Sequence, residues 1–329
     1  MSATIVYLTA NETRELLDLP TALELVEGVF RVHASGHIVW PDPMVLGLRD
    51  TVHGSAYRIK ACVLTDTPVA GVRVTGYHRD AHGGGSGDRH NTRFVILSDP
   101  RTGHPLAVID EHWTYNLRTC ASAVLAIKYL ARKDSTTVGL VGAGSLADTC
   151  LRMLALLFPV TQVYVHSRRP ESRGAFADKM RRELGIAVSA VDTPQEAAEP
   201  ADILVTCTSA SQLLIMNEWL QPGVTVATLG RFELEGSAYR DVDKVVVDDW
   251  EVARESEDIR DLLQQGMFAH EDVYADMAAI VSGAKPGRAS SAERILVRAD
   301  GLVTQDVAIC HYVYRRACEQ GLGMTRIVG

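Results

Sequence analysis

No C-x-x-C pair occurs in this chain, and its six cysteines (Cys62, Cys120, Cys150, Cys207, Cys310 and Cys318) stand apart, mostly in apolar segments. A cysteine in such company usually packs as a small buried hydrophobe. No run of about 18 apolar residues is present, and the first residues lack a secretory-signal pattern, so the expected compartment is the cytoplasm. A surplus of basic residues is missing too: 33 Lys and Arg stand against 41 Asp and Glu, a formal net charge of −8. Such a chain is a poor partner for nucleic acid or an anionic membrane surface. There is no internal repeat. The one low-complexity segment is Asp80-Ala81-His82-Gly83-Gly84-Gly85-Ser86-Gly87-Asp88, too rich in glycine to pack a core, and a mobile loop is expected there. His78, His82 and His90 around it have no zinc-site spacing, and no metal is expected.

What the chain does have is enough apolar material, 47% of 329 residues, for a large core divided between two domains or one domain with a large insertion. Residues 5–8 read as a strand followed by two helices. Asn11 or Thr13 is the expected cap of the first, and Leu19-Pro20 opens the second, which ends near Gly36. Residues 57–64, 69–75, 92–97 and 105–109 then read as strands separated by turn residues, an α+β pattern on an antiparallel or mixed sheet. A long helix over 113–131 carries Arg118 near its start.

That helix leads into the most informative stretch. Residues 136–141 form a β-branched run suited to a buried parallel strand. Gly142-Ala143-Gly144-Ser145-Leu146-Ala147 follows, a G-x-G-x-x-A pattern, then an apolar helical stripe and a second strand over 163–166. In this strand–turn–helix–strand setting the first glycine permits the tight turn and the second lets the backbone approach a pyrophosphate. The small third residue lets helix and strand pack closely. The bare helix start supplies N–H donors and the positive dipole end. Gly142, Gly144, Ser145, Leu146 and Ala147 are therefore candidate dinucleotide-binding residues.

An Asp or Glu usually closes the second strand where NAD is bound, to hold the ribose hydroxyls. This chain has Ser167-Arg168-Arg169-Pro170 instead. Two guanidiniums and a hydroxyl suit a 2′-phosphate, so NADP(H) is expected over NAD(H), the alternative being a solvated helix start at Pro170. Helix and strand continue to alternate, with strands expected over 187–191, 203–207, 224–229 and 245–248, which means a doubly wound parallel sheet. Thr206, Thr208 and Gly230 fall at carboxyl ends of those strands, where such sheets bind ligands, and Thr119 joins them as a cofactor candidate. Residues 250–283 read as helical, acidic and mostly solvated. A final helix over 304–320 ends at Gly321.

Several strings, taken in this order, resemble the ornithine cyclodeaminase/μ-crystallin family. They are Val72-Arg73-Val74-Thr75-Gly76, Asp99-Pro100-Arg101-Thr102-Gly103, Leu117-Arg118-Thr119, Lys128-Tyr129-Leu130-Ala131-Arg132, Val141-Gly142-Ala143-Gly144 and Gly301-Leu302-Val303-Thr304-Gln305-Asp306. The resemblance implies a homodimer. Its substrate and dimerisation domain would be residues 1–118 completed by 302–329, a Rossmann-type domain over 119–301 would be inserted in it, and the active site would lie in the cleft. Activities known in the family are cyclodeamination of ornithine or lysine, reduction of cyclic ketimines, amino-acid or iminosuccinate dehydrogenation and, in μ-crystallin, thyroid-hormone binding.

The resemblance also suggests roles. Arg118 matches the arginine that grips the substrate carboxylate. Arg73 stands where cyclodeaminases carry a catalytic lysine; arginine stays protonated and cannot be a base, but it can bind and polarise a carboxylate. After the strand over 224–229, cyclodeaminases have Gly-Gly-Asp, whereas this chain has Gly230-Arg231-Phe232 with Glu233 one place late. Near residues 41–44 a further carboxylate-binding arginine of many relatives is missing, and Arg58 or Lys60 can compensate. These departures point away from cyclisation and toward hydride chemistry. The reading is an NADP(H)-dependent oxidoreductase at the Cα–N bond of a small amino or imino acid, with Arg118 and Arg73 on the carboxylate and Lys60 the candidate proton donor. The alternatives are a cyclodeaminase-type lyase and an NADPH-containing ligand-binding protein like μ-crystallin.

Overall fold

The computed structural model describes residues 3–78, 91–210 and 212–328. The glycine-rich segment 80–88, with His82 and His90, lies outside the described residues. The chain divides into two compact units, Met1–Arg118 with Leu302–Gly329, and Thr119–Gly301. Strands in chain order are β1 (Ala3–Leu8), β2 (Ile38–Val39), β3 (Val45–Asp50), β4 (Ser55–Leu64), β5 (Val69–His78), β6 (Asn91–Ser98) and β7 (Pro105–Asp110). There follow β8 (Thr137–Val141), β9 (Gln162–His166), β10 (Ala187–Ala190), β11 (Ile203–Thr206), β12 (Thr225–Thr228), β13 (Lys244–Val247), β14 (Val273–Asp276), β15 (Ile295–Arg298) and β16 (Met324–Val328).

The first unit is built on a mixed sheet ordered β16-β1-β7-β6-β5-β4-β2, with β3 also paired to β4. Only β1 and β7 run parallel. The first helix, Ala10–Leu16, starts at a Thr9 capping box rather than at Asn11 or Thr13: the Thr9 side chain accepts from the Glu12 N–H while the Glu12 carboxylate accepts from the Thr9 N–H. The Asp18 side chain caps the second, Leu19–Ser35, and Gly36 closes it at φ 74°.

Register decides which side chains share a face. Lys60 pairs with Arg73 and Arg58 with Thr75 across β4 and β5, and Thr75 pairs with Arg93 across β5 and β6. Directly opposed residues of an antiparallel pair project together, so Arg58, Lys60, Arg73, Thr75 and Arg93 lie on one face. Gly71 and Leu97 continue that face. The C-terminal helix Val303–Gln320 lies against it so closely that a Cβ on Gly71 would meet Val307 Cγ2 at 2.2 Å. The opposite face of β3–β5 exposes Leu46, Leu48, Tyr57 and Val72.

The second unit is a wholly parallel sheet ordered β10-β9-β8-β11-β12-β15-β13-β14. Its central strands β11, β12, β13 and β15 are buried along their whole length and are mostly apolar, with Thr206, Thr225, Thr228, Lys244 and Arg298 as the buried polar positions. The fold is α/β with a Rossmann-type sheet inserted in an α+β domain, and the strand order reverses direction of growth between β8 and β11. The stretch 250–283 departs from expectation. It contains β14, and Ala253, Ile259, Phe268, Met277 and Ile280 are buried, so it contributes core as well as solvated surface. Among the described residues no helix is long and apolar enough to cross a membrane.

Candidate active site

In the first unit the helix His112–Leu130 presents Tyr115 and Arg118, and Glu111 precedes its first turn. The spacing 111, 115, 118 puts all three on one helical stripe. Arg118 is 3% exposed, and its Nε donates to Asp306 Oδ1 at 2.6 Å. Arg73, 6% exposed, donates from Nε to Glu111 Oε1 at 2.7 Å and Oε2 at 2.8 Å, and that nitrogen is also 3.5 Å from Asp306 Oδ2. Asp306 sits in the first turn of the helix Val303–Gln320, where the dipole favours a carboxylate. The guanidinium carbons of Arg93, Arg118 and Arg73 stand 3.9, 4.8 and 5.3 Å from the centre of the Tyr115 ring.

Two buried polar atoms of this cluster, Arg73 Nη2 and Asp306 Oδ2, have no hydrogen-bond partner among the described residues. Arg73 Nη2 is nevertheless ion-paired with Glu111, 2.5 Å from its Oε1. A buried donor left unmade is costly, and a ligand carboxylate is the kind of group that would complete it. Burial raises the Glu111 pKa, and the neighbouring Asp306 carboxylate adds to this while Arg73 opposes it. Lys60, half-buried, is pushed down to about 8, first by burial and then by the charges of Arg118 and Arg73, with Arg58 adding to the push. Arg118, Arg73, Lys60 and Arg58 are thus brought to one cationic face, and Arg118 is buried. Glu111 had no recognisable signal, and Asp306 stood in a family string with no role given it, because their partners lie 38 and 188 residues away.

In the second unit Gly142 has φ 123°, and a Cβ there would meet the Cys207 carbonyl oxygen and Sγ, each at 2.9 Å. Gly144 caps the helix Ser145–Leu157 with no side-chain hydrogen bond, and a Cβ on Gly144 would meet nothing within 4 Å. The first turn at Ser145 and Leu146 is therefore open to a ligand while Ala147 is fully buried against the sheet. These features fit a pyrophosphate cradle. After β9, the buried Arg173 donates to the Ser167 carbonyl at 2.9 Å and pairs with Asp192, bracing the turn. Ser167 Oγ donates to the Arg169 carbonyl at 3.2 Å. Arg168 and Arg169 are exposed, with no ion pair among the described residues. Thr119 Oγ1 and Thr206 Oγ1 are buried without a hydrogen-bond partner among the described residues.

The model of the ornithine cyclodeaminase/mu-crystallin family matches residues 4–321. The chain belongs to that family. It is 31% identical over 234 residues to the N-((2S)-2-amino-2-carboxyethyl)-L-glutamate dehydrogenase of Staphylococcus aureus, with 70% of each chain covered. Its structure is similar to that of the Thermococcus litoralis Δ1-pyrroline-2-carboxylate reductase in complex with NADH and L-proline: TM-score 0.90, 29% identity, 97% of this chain and 99% of that one. It is also similar to an archaeal alanine dehydrogenase dimer with bound NAD: TM-score 0.90, 29% identity, 98% and 99% covered.

The loop after β12 closes on a buried acid. Glu233 is buried, and its carboxylate accepts from the Thr208 N–H at 2.9 Å, the Thr208 hydroxyl and the Gly230 N–H at 3.1 Å. Burial raises its pKa against those hydrogen bonds. Phe232 takes the left-handed φ of 58° that turns the loop, and its N–H donates to Asp258 Oδ2 at 3.2 Å. A Cβ on Gly230 would meet the Glu233 carboxylate at 2.3 Å, so any larger residue there would displace this acid from its hydrogen bonds. Thr208 and Gly230 are committed to Glu233, a role the sequence did not reveal. Among the described residues no group of three His, Cys, Asp or Glu side chains could hold a metal ion.

Proposed function

We propose that the protein is a nicotinamide-dependent oxidoreductase acting at the Cα–N bond of a small amino or imino acid, an imine reductase or amino-acid dehydrogenase. The observation that carries this reading is the placement of two buried, carboxylate-anchored arginines beside a lysine that titrates near 8. Arg118 and Arg73 grip the substrate α-carboxylate through guanidinium N–H donors beyond those turned to Asp306 and Glu111. Glu111 and Asp306 fix those guanidiniums in place, and orientation of this kind accounts for several kcal/mol of barrier lowering. Lys60 gives its proton to the substrate nitrogen in reduction and takes it back in oxidation.

A bound nicotinamide supplies the hydride. Gly142, Gly144 and the open first turn at Ser145–Ala147 would hold its pyrophosphate, and relatives with bound NADH or NAD support that assignment. We assign the 2′-phosphate of NADP(H) to Arg168 and Arg169, which are exposed and unpaired at the end of β9. Purified protein should consume NADPH when offered pyruvate or glyoxylate with ammonia or methylamine, or a cyclic ketimine such as Δ1-pyrroline-2-carboxylate. Tight cofactor binding without consumption on any of these substrates would overturn the reading.

A further inference from the structure

The proposed α-carboxylate grip does not use all of the cationic face. Arg73 and Arg118 each have an acidic anchor, in Glu111 and Asp306. Arg93 has none: its guanidinium carbon lies 3.9 Å from the centre of the Tyr115 ring and 5.8 Å from that of Tyr77, and it makes no ion pair among the described residues. It is half-buried, and its own backbone carbonyl accepts from the Glu111 N–H at 3.1 Å, which fixes its root beside the other cluster members. Aromatic faces offset part of the cost of such a charge. Three guanidiniums around one phenol ring still repel one another, and the Lys60 ammonium feels the same surplus from Arg118, Arg73 and Arg58, with Asp306 alone opposing it. Binding one carboxylate at Arg118 and Arg73 leaves Arg93 without a counter-charge among the described residues.

We infer that the substrate carries a second carboxylate, held by Arg93 against the Tyr115 ring, so that the protein acts on an amino or imino dicarboxylic acid rather than a monocarboxylic one. The inference rests on the functional reading above. A guanidinium fork on a carboxylate is a bidentate, charge-assisted contact, and a site built for it rejects a ligand lacking the group because the arginine is then left unpaired.

The test compares oxaloacetate and 2-oxoglutarate with pyruvate and 2-oxobutanoate, each with ammonia and NADPH, on the wild type, Arg93→Ala and Arg93→Lys. In parallel, calorimetry on the cofactor-loaded wild type compares succinate with butyrate. Expected are a kcat/KM at least about tenfold higher for the dicarboxylic acids and a loss in Arg93→Ala at least about tenfold larger for them than for the monocarboxylic acids, carried by KM. Arg93→Lys should recover part of that loss, since it keeps the charge but not the fork. Monocarboxylic acids turned over equally well, or an Arg93→Ala loss the same for both classes, would overturn the inference and leave the functional reading standing. Succinate binding in preference to butyrate, with no turnover of any acid, would sustain the second-carboxylate subsite at Arg93 and overturn the functional reading. Failure of both turnover and succinate binding would overturn the two together.

Discussion

Lys60 shows how a single position gains chemistry from its neighbours. Alone on a strand it is an ordinary ammonium; burial first, and then the charges of Arg118 and Arg73, push its pKa down to about 8. The direction of the pH effect follows. In reduction the protonated amine is the active form, so kcat/KM should be full below about 8 and fall above it. In oxidation the free amine is active, and the rate should rise through the same range. Lys60→Ala should lower kcat by about a hundredfold or more and abolish that pH limb, in line with the usual contribution of a positioned acid–base group. A pH–rate profile unchanged in the variant would remove Lys60 from the chemistry. Arg118 and Lys60 could be singled out because the family resemblance pointed to them. Glu111 and Arg93 could not, and Asp306 stood in a family string with no role given it, since each draws its meaning from a partner that only the folded register supplies.

At the level of elements, the strand–turn–helix–strand unit from β8 to β9 was fully legible, because glycine at φ 123° and a small residue at Ala147 answer local steric demands that act within a few residues. β15 and β16 were not, nor was β14. They are four or five residues long, and β15 includes Arg298, whose charge argues against burial until Asp258 and Asp300 are seen at 3.2 and 3.0 Å from its guanidinium. Such pairing depends on tertiary contact and leaves no periodic trace. The turn after β9 gives the element-scale prediction. Arg173 braces it, so removing Arg168 and Arg169 should leave the fold intact. The Arg168→Ala/Arg169→Ala protein should bind NADPH about tenfold to a hundredfold more weakly, with little change for NADH, since hydrogen bonds to charged groups contribute roughly 1.5–3 kcal/mol each and exposure discounts them. The difference should shrink at high salt. Equal losses for both cofactors, measured by fluorescence titration, would assign the arginines to the fold alone.

For the whole molecule, the apolar outer face of β3–β5, with Leu46, Leu48 and Tyr57 each more than a third exposed, is the surface on which we expect a second copy to dock. A relative of the same fold is a dimer. Sedimentation should give twice the chain mass for the wild type and a shift toward monomer for Leu48→Asp, and a wild-type monomer would contradict the assignment. The central claim is hydride chemistry at Cα. It is tested most directly by running the reductive amination with NADPH deuterated at C4 on the transferred face and analysing the amino-acid product by mass spectrometry. The account predicts one deuterium, located on Cα. Product with no deuterium at Cα, or cofactor bound tightly and never oxidised, would contradict it.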